Sequence, residues 1–176
     1  MHTEIPTEVI FIGGRSGVGK TSVAAEASHL LARADIRHAV IEGDNLDQAY
    51  PEPWRDGIDL AERNLAAIWA NYRAIGYTRL IFTNTVSVLQ MPALTAALGE
   101  NVRAFGVLLT ASDESAAERL AQREIGTALA EHIERSNLAA VRLDVESSAF
   151  RIATDDRTVT EVAGDVLAAA GWIERV

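Results

Sequence analysis

The chain has 176 residues, 48% of them hydrophobic and 23% charged, and a net charge of −9. That length is enough for one domain with a sizeable core, and the balance is that of a soluble globular chain. The charge argues against nucleic acid or an anionic membrane as a partner of the whole surface but leaves room for a local basic pocket, and the absence of cysteine excludes disulfides, thiolate zinc sites and a cysteine nucleophile, as suits a reducing cytoplasm.

Met1-His2-Thr3-Glu4 lacks the basic and apolar regions of a signal peptide, and no apolar run approaches a membrane span. Neither repeat nor linker divides the sequence, so residues 1–176 are expected to form a single domain. The first predicted strand, 8–13, contains Val9-Ile10-Phe11-Ile12, an unbroken apolar run of the kind buried on both faces of a parallel sheet. A helix over 20–34 follows, with Val23, Ala24, Ala27, Leu30, Leu31 and Ala34 at helical spacing. Ala39-Val40-Ile41 reads as a second strand ending in Glu42-Gly43-Asp44-Asn45. Pro51, Pro53 and Gly57 mark an irregular connection. The next helix, 58–75, carries Ile58, Ala61, Leu65, Ile68, Trp69, Tyr72 and Ile75 on one stripe and stops at Gly76.

Residues 79–83 form the third predicted strand, leading to Asn84. A helix over 88–98 has Pro92 in its first turn and ends at Gly99. The fourth strand is 102–109. Ser112, Asp113 and Glu114 read as a cap and first-turn acids of a helix that bears Arg119 and Arg123. Residues 124–137 are polar and contain a glycine, and are expected to form a mobile lid before a helix over 137–147. Residues 150–153 give a weak fifth strand, and a helix over 158–170 closes the chain at Gly171. Alternating strands and helices predict an α/β fold with a parallel sheet, whose ligands sit beyond the carboxyl ends of the strands.

The stretch that organises the chain is Gly14-Arg15-Ser16-Gly17-Val18-Gly19-Lys20-Thr21, which fits G-x-x-x-x-G-K-[ST], the phosphate-cradling P-loop, between a buried strand and a helix. Its glycines allow backbone angles that turn successive N–H groups inward, and the helix that follows through Ser22 aims its positive end at the same point. Lys20 is the candidate for the β- and γ-phosphates, and the Thr21 hydroxyl for Mg²⁺. Asp44 is the candidate catalytic carboxylate, accepting a proton from an acceptor hydroxyl or holding a magnesium-bound water; the alternative is a turn aspartate capping a short helix. Glu42 and Asp47 are near enough to share the role. Arg119 and Arg123 share a helix face, where they would meet transferring phosphate or lie over a base; the alternative is a solvated face pairing with Glu118 or Glu124. Arg135, with His132 nearby, is a further lid arginine to consider. Thr154-Asp155-Asp156-Arg157 is placed to border the base, against an N-cap role for Asp155 or Asp156. Trp54, Arg55, Arg63, Asn64 and Asn84 are candidates for the acceptor side, with Trp54 equally readable as a cover for the core edge. Trp69 and Trp172 read as core, and His2, His29, His38 and His132 show no metal-ligand spacing.

These motifs resemble the small P-loop kinases of the adenylyl-sulfate kinase, gluconate kinase and chloramphenicol phosphotransferase type, and the uncharacterised ATPases grouped with them. The resemblance spans nearly the whole chain and is firmest over Gly14 to Thr21. It implies a three-layer P-loop NTPase fold with a five-stranded parallel sheet, helices on both faces and a short helical lid, acting on ATP with Mg²⁺. Gly43-Asp44-Asn45 is similar to the adenylyl-sulfate kinase stretch that carries the acceptor-side aspartate. Arg119-Leu120-Ala121-Gln122-Arg123 is similar to the lid arginines of nucleoside monophosphate kinases, of which the first stacks on adenine and the second touches phosphate. Residues 152–163 are similar to the base-binding loop and last helix. The third strand departs from many P-loop enzymes in ending at Thr83-Asn84-Thr85, without a metal-binding aspartate. An ATP-dependent phosphotransferase acting on a small hydroxylated molecule is the leading expectation. A nucleotide-binding protein or ATPase with a protein partner is the alternative; no N-K-x-D guanine motif is present, and the third strand does not end in Asp-Glu.

Overall fold

The structure is a computed structural model that describes residues 5–123 and 126–174. Five parallel strands form its sheet: β1 (Thr7–Gly13), β2 (Ala39–Glu42), β3 (Arg79–Thr83), β4 (Val102–Thr110) and β5 (Phe150–Ala153), in the spatial order β2-β3-β1-β4-β5. The helices are α1 (Lys20–Arg33), α2 (Leu60–Ala74), α3 (Met91–Leu98), α4 (Asp113–Ala121), α5 (Thr127–Glu146) and α6 (Val159–Ala169).

β1 lies at the centre, and its pleat explains its unbroken apolar run. Ile10 and Ile12 face a layer in which α1 and α6 contribute Val23, Leu31, Val162 and Leu167. Val9 and Phe11 face the opposite layer, where α2 and α3 contribute Leu65, Trp69, Leu94 and Leu98. A strand covered on both faces has no polar side to alternate with. Each large side chain so buried contributes about 1.5–3 kcal/mol relative to exposure. The Trp69 indole Nε1 donates to Thr7 Oγ1 at 3.1 Å, so its polar atom is satisfied inside the core.

Some boundaries differ from the sequence-based expectation. The stripe expected over 58–75 narrows to Leu65 and Trp69 at full burial; Ile58, Ile68 and Ile75 are exposed. Ile58 and Ile75 lie outside the helix, before Leu60 and after Ala74. Residues 87–89 form a 3₁₀ turn before α3 starts at Met91. Residues 127–137, expected as a mobile lid, belong to the 20-residue α5, which runs ten residues further toward the N-terminus than the helix expected from 137. Glu124, at the head of that lid, lies outside the described residues, as do Met1 to Glu4 with His2. Among the described residues, no helix is long and apolar enough to cross a membrane.

Because all strands are parallel, their carboxyl ends share one edge. That edge gathers the 14–19 loop, the Gly43–Asn45 turn, Asn84, the 111–112 turn and the 154–158 connection.

Candidate active site

The loop after β1 is shaped by neighbours that leave no room for side chains. Gly14 has φ +149°, and a Cβ there would come within 2.7 Å of the Leu109 carbonyl; Gly17 has φ +83°, and a Cβ there would meet the Ala116 carbonyl at 2.5 Å. Only glycine takes such angles at such close approach. The Gly14 N–H is bonded to Thr85 O at 3.1 Å and the Val18 N–H to Arg15 O at 3.3 Å, so these two amides brace the loop. The first-turn amides of α1, at Lys20, Thr21 and Ser22, precede the first intrahelical bond, from Val23 N to Gly19 O. Gly19 supplies no side-chain cap for them. They are therefore open to an anion, and the helix dipole favours one.

Lys20 folds back over the loop, donating from Nζ to Gly14 O at 2.8 Å and Arg15 O at 3.1 Å. Burial lowers its pKa to about 8; Arg123 pushes in the same direction, and Asp44 and Glu42 oppose it. Asp44 is thus within electrostatic reach of Lys20. Its own pKa is raised, first by burial and then by Glu42 and Asp47, with Lys20 acting against the rise. Asp44 sits in the 3₁₀ turn after β2, and its Oδ1 accepts from Asn84 Nδ2 at 3.0 Å. Asn84 is oriented in turn by Val86, whose N–H donates to Asn84 Oδ1 at 2.9 Å. With its carbonyl oxygen engaged there, the amide must present its NH₂ to Asp44. The order β2-β3-β1 places Asn84 physically between the phosphate loop and Asp44.

The other predicted site residues fall into three groups. Arg119 reaches the loop from α4, donating to Val18 O at 3.3 Å, Gly17 O at 3.5 Å and Thr154 Oγ1 at 3.0 Å. With Arg123, Gly19, Ser22 and Arg157 it borders a cavity of about 300 Å³ beside the loop. Asp155 turns away from that cavity: its carboxylate accepts from Ser112 N–H at 2.9 Å and braces the turn after β4. It caps no helix end at α6, where Thr158 and Glu161 form a capping box. Arg15 also points away from the loop interior. It is 3% exposed and bonds Ser136, Asn137 and Asp113, while its carbonyl accepts from Lys20 Nζ.

On the acceptor side, Trp54 is 54% exposed. Arg55 pairs with Glu52 at 3.3 Å. Arg63 is exposed, and Asn64 is committed to the turn after β2 through its Nδ2 bond to Leu46 O at 2.6 Å. Trp172 is buried against the α1–α6 layer. Among the described residues, no group of three His, Cys, Asp or Glu could hold a metal ion. The contacts that sequence reasoning missed are those of Ser136 and Asn137 with the loop and of Asn84 with Asp44, all between segments distant in sequence.

Comparison with solved structures finds this fold in several small P-loop kinases. A gluconokinase from Sinorhizobium meliloti superposes with TM-score 0.60 at 20% identity, covering 95% of this chain and 93% of that one. The tunicamycin resistance protein of Deinococcus radiodurans gives TM-score 0.65 at 20% identity, with 95% and 97% covered. The APS kinase of Mycobacterium tuberculosis, solved with AMPPNP and APS, gives 0.53 at 20% identity, with 92% and 96% covered. The fold expected from the resemblance to such kinases is therefore the one observed. No curated relative matches at the level of sequence. The model of the CobQ/CobB/MinD/ParA nucleotide binding domain does match, over residues 9–150, a span that holds most of β1, the phosphate loop, Asp44, Asn84, Arg119 and Arg123; by that match the chain belongs to the CobQ/CobB/MinD/ParA family of P-loop nucleotide-binding domains.

Proposed function

We propose that the chain is an ATP-dependent phosphotransferase that moves the γ-phosphoryl group to a hydroxyl of a small molecule, in the cytoplasm. The observation that carries this reading is Asp44, an exposed carboxylate held by Asn84 at the sheet edge beside the phosphate loop and within electrostatic reach of Lys20. A bare hydrolase needs only to place water; a carboxylate beside the phosphate site and open to the cleft suits an acceptor hydroxyl.

In this reading the open amides at the start of α1 and the Lys20 ammonium hold the β- and γ-phosphates. Arg119 and Arg123 border the nucleotide cavity, and their charge offsets that of the transferring group. Asn84 occupies Asp44 Oδ1 and leaves Oδ2 to take the acceptor's proton. Magnesium fits the oxygen chemistry present: the Thr21 hydroxyl is exposed at the first turn of α1, and the ion ordinarily takes few protein ligands beside phosphate and water. Thr21 would hold it directly, with Asp44 near enough to act through water. When bound it neutralises phosphate charge.

Asp44→Asn tests the assignment. Transfer is expected to fall by at least about a hundredfold, the usual worth of a positioned general base, while the Kd for ATP changes little. Full turnover in that variant removes Asp44 from the reaction. A second reading, an ATPase or nucleotide-binding protein that acts on a protein partner, draws support from the family match. It predicts hydrolysis that is stimulated by a protein and indifferent to small hydroxylated acceptors.

A further inference from the structure

The least expected feature of the molecule is a buried arginine inside the phosphate loop that turns its back on the phosphate site. Arg15 donates from Nε to Ser136 Oγ at 3.0 Å, from one terminal nitrogen to Asp113 and from the other to Asn137 Oδ1. Ser136 itself is 2% exposed, and its hydroxyl donates to Ser16 O at 2.8 Å. A serine hydroxyl has one proton and two lone pairs. Here the proton goes to the loop's carbonyl and a lone pair receives the loop's guanidinium, so one side chain of α5 grips two successive loop residues.

The rest of α5 makes this grip matter. Among its described residues, only Leu143 and Ser136 are fully buried. Leu143 sits two turns further along, in a small cluster with Val88 and Leu108. Leu138, Val141 and Val145 face outward. Between the helix and β4 lies a cavity of about 170 Å³, bordered by Arg15, Leu108, Asp113 and Leu143. In the N-terminal half of α5 Leu129 and Ile133 are only partly buried, and the fully buried side chain there is the polar Ser136, bonded to the loop.

We propose that Ser136 and Asn137 are positioning residues for the nucleotide site: from α5 they fix Arg15 and the Ser16 carbonyl, and so hold the 15–17 backbone in the shape that receives phosphate. Neither side chain touches nucleotide. Their effect is confined to the phosphate end of the ligand, because the loop segment they hold is the phosphate cradle. The inference rests on the nucleotide-binding reading of the loop and is independent of whether phosphate is transferred.

The test measures binding of Mg·ATP by calorimetry and of adenosine by NMR titration, in the full chain and in Ser136→Ala, Asn137→Ala and Leu143→Ala. Ser136→Ala is expected to weaken ATP about tenfold, the worth of a buried hydrogen bond whose partner is left unsatisfied. Asn137→Ala, which releases one arm of Arg15, is expected to weaken it less. Both should leave adenosine binding unchanged. Leu143→Ala loosens α5 without touching Arg15, and is expected to lower the melting temperature while leaving ATP affinity near that of the parent. Unchanged ATP affinity in both polar variants overturns the proposal, as does an equal loss for ATP and adenosine. Absence of ATP binding in the unaltered chain overturns the nucleotide reading beneath it.

Discussion

Lys20 carries two demands that pull against each other. It must be cationic to hold phosphate, yet it is half-buried, and the loss of solvent around its ammonium brings its pKa down to about 8. Asp44 is shifted the opposite way, upward, by the same cause. The working form needs Lys20 protonated and Asp44 ionised. Activity as kcat/KM, which reports the free enzyme, should rise on the acid side as Asp44 loses its proton, above the ordinary carboxylate range. It should fall on the alkaline side as Lys20 loses its own, near pH 8. Bound phosphate favours the charged lysine, so ATP binding above pH 8 should take up a proton, seen as a dependence of the binding heat on the buffer's ionisation enthalpy. A flat profile from pH 7 to 9.5 would show that Lys20 stays protonated across that range and that its surroundings do not lower its pKa. The two residues were unequally legible in the sequence. Lys20 and Thr21 stand in a contiguous motif whose geometry is local. Asp44 could be read as a candidate from its place after β2, but Asn84, its hydrogen-bond partner, is 40 residues away. Arg15 looked like part of the cradle because sequence shows only that it lies in the loop, not where its guanidinium points.

Helix ends repeat the lesson with different physics. α6 begins with a full capping box: Thr158 Oγ1 accepts from Glu161 N–H at 3.2 Å, and Glu161 accepts from Thr158 N–H at 2.8 Å. That signal is local, and the helix starts within one residue of its expected position. The Thr158 and Glu161 side chains do not border the cavity beside the loop, although Val159 and Val162 of α6 do, so Thr158→Val should lower stability by about 1 kcal/mol, read as a shift in the urea midpoint, with ATP affinity unaltered. A loss of ATP affinity as large as the loss of stability would tie the cap itself to the site. α5 lacks such a signal. Its N-cap is Gly126, with no side-chain bond. Its outward positions carry Leu138, Val141 and Val145, while its buried position against the loop carries a serine. Hydrophobic periodicity reads that pattern inside out, and residues 127–136 hold only Leu129 and Ile133 as large apolar side chains, too few to mark the helix start in a polar segment. α2 shows the converse: Ile58, Ile68 and Ile75 keep the helical period but are exposed, the first and last lying beyond the helix ends.

Taken as a whole, the molecule brings residues together by strand order, and strand order is not sequence order. The arrangement β2-β3-β1 sets the Asp44 turn, Asn84 and the phosphate loop side by side on one edge, while β4 and β5 bring Ser112 and Asp155 together on the far side of the loop. The parallel sheet and its functional edge were legible because strands alternate with helices; the neighbours along that edge were not. A chain of net charge −9 nevertheless gathers Lys20, Arg119 and Arg123 around one cleft, where they favour a polyanion locally. The measurement that reaches furthest is ATP consumption with Mg²⁺ across a panel of small hydroxylated compounds, with products followed by ³¹P NMR, in the unaltered chain and in Asp44→Asn. The expected result is ADP release that depends on one class of acceptor, a new phosphate-ester signal, and loss of both in Asp44→Asn with ATP binding retained. Hydrolysis to inorganic phosphate that ignores every acceptor, at equal rates in both proteins, would mean that no hydroxyl is activated at Asp44.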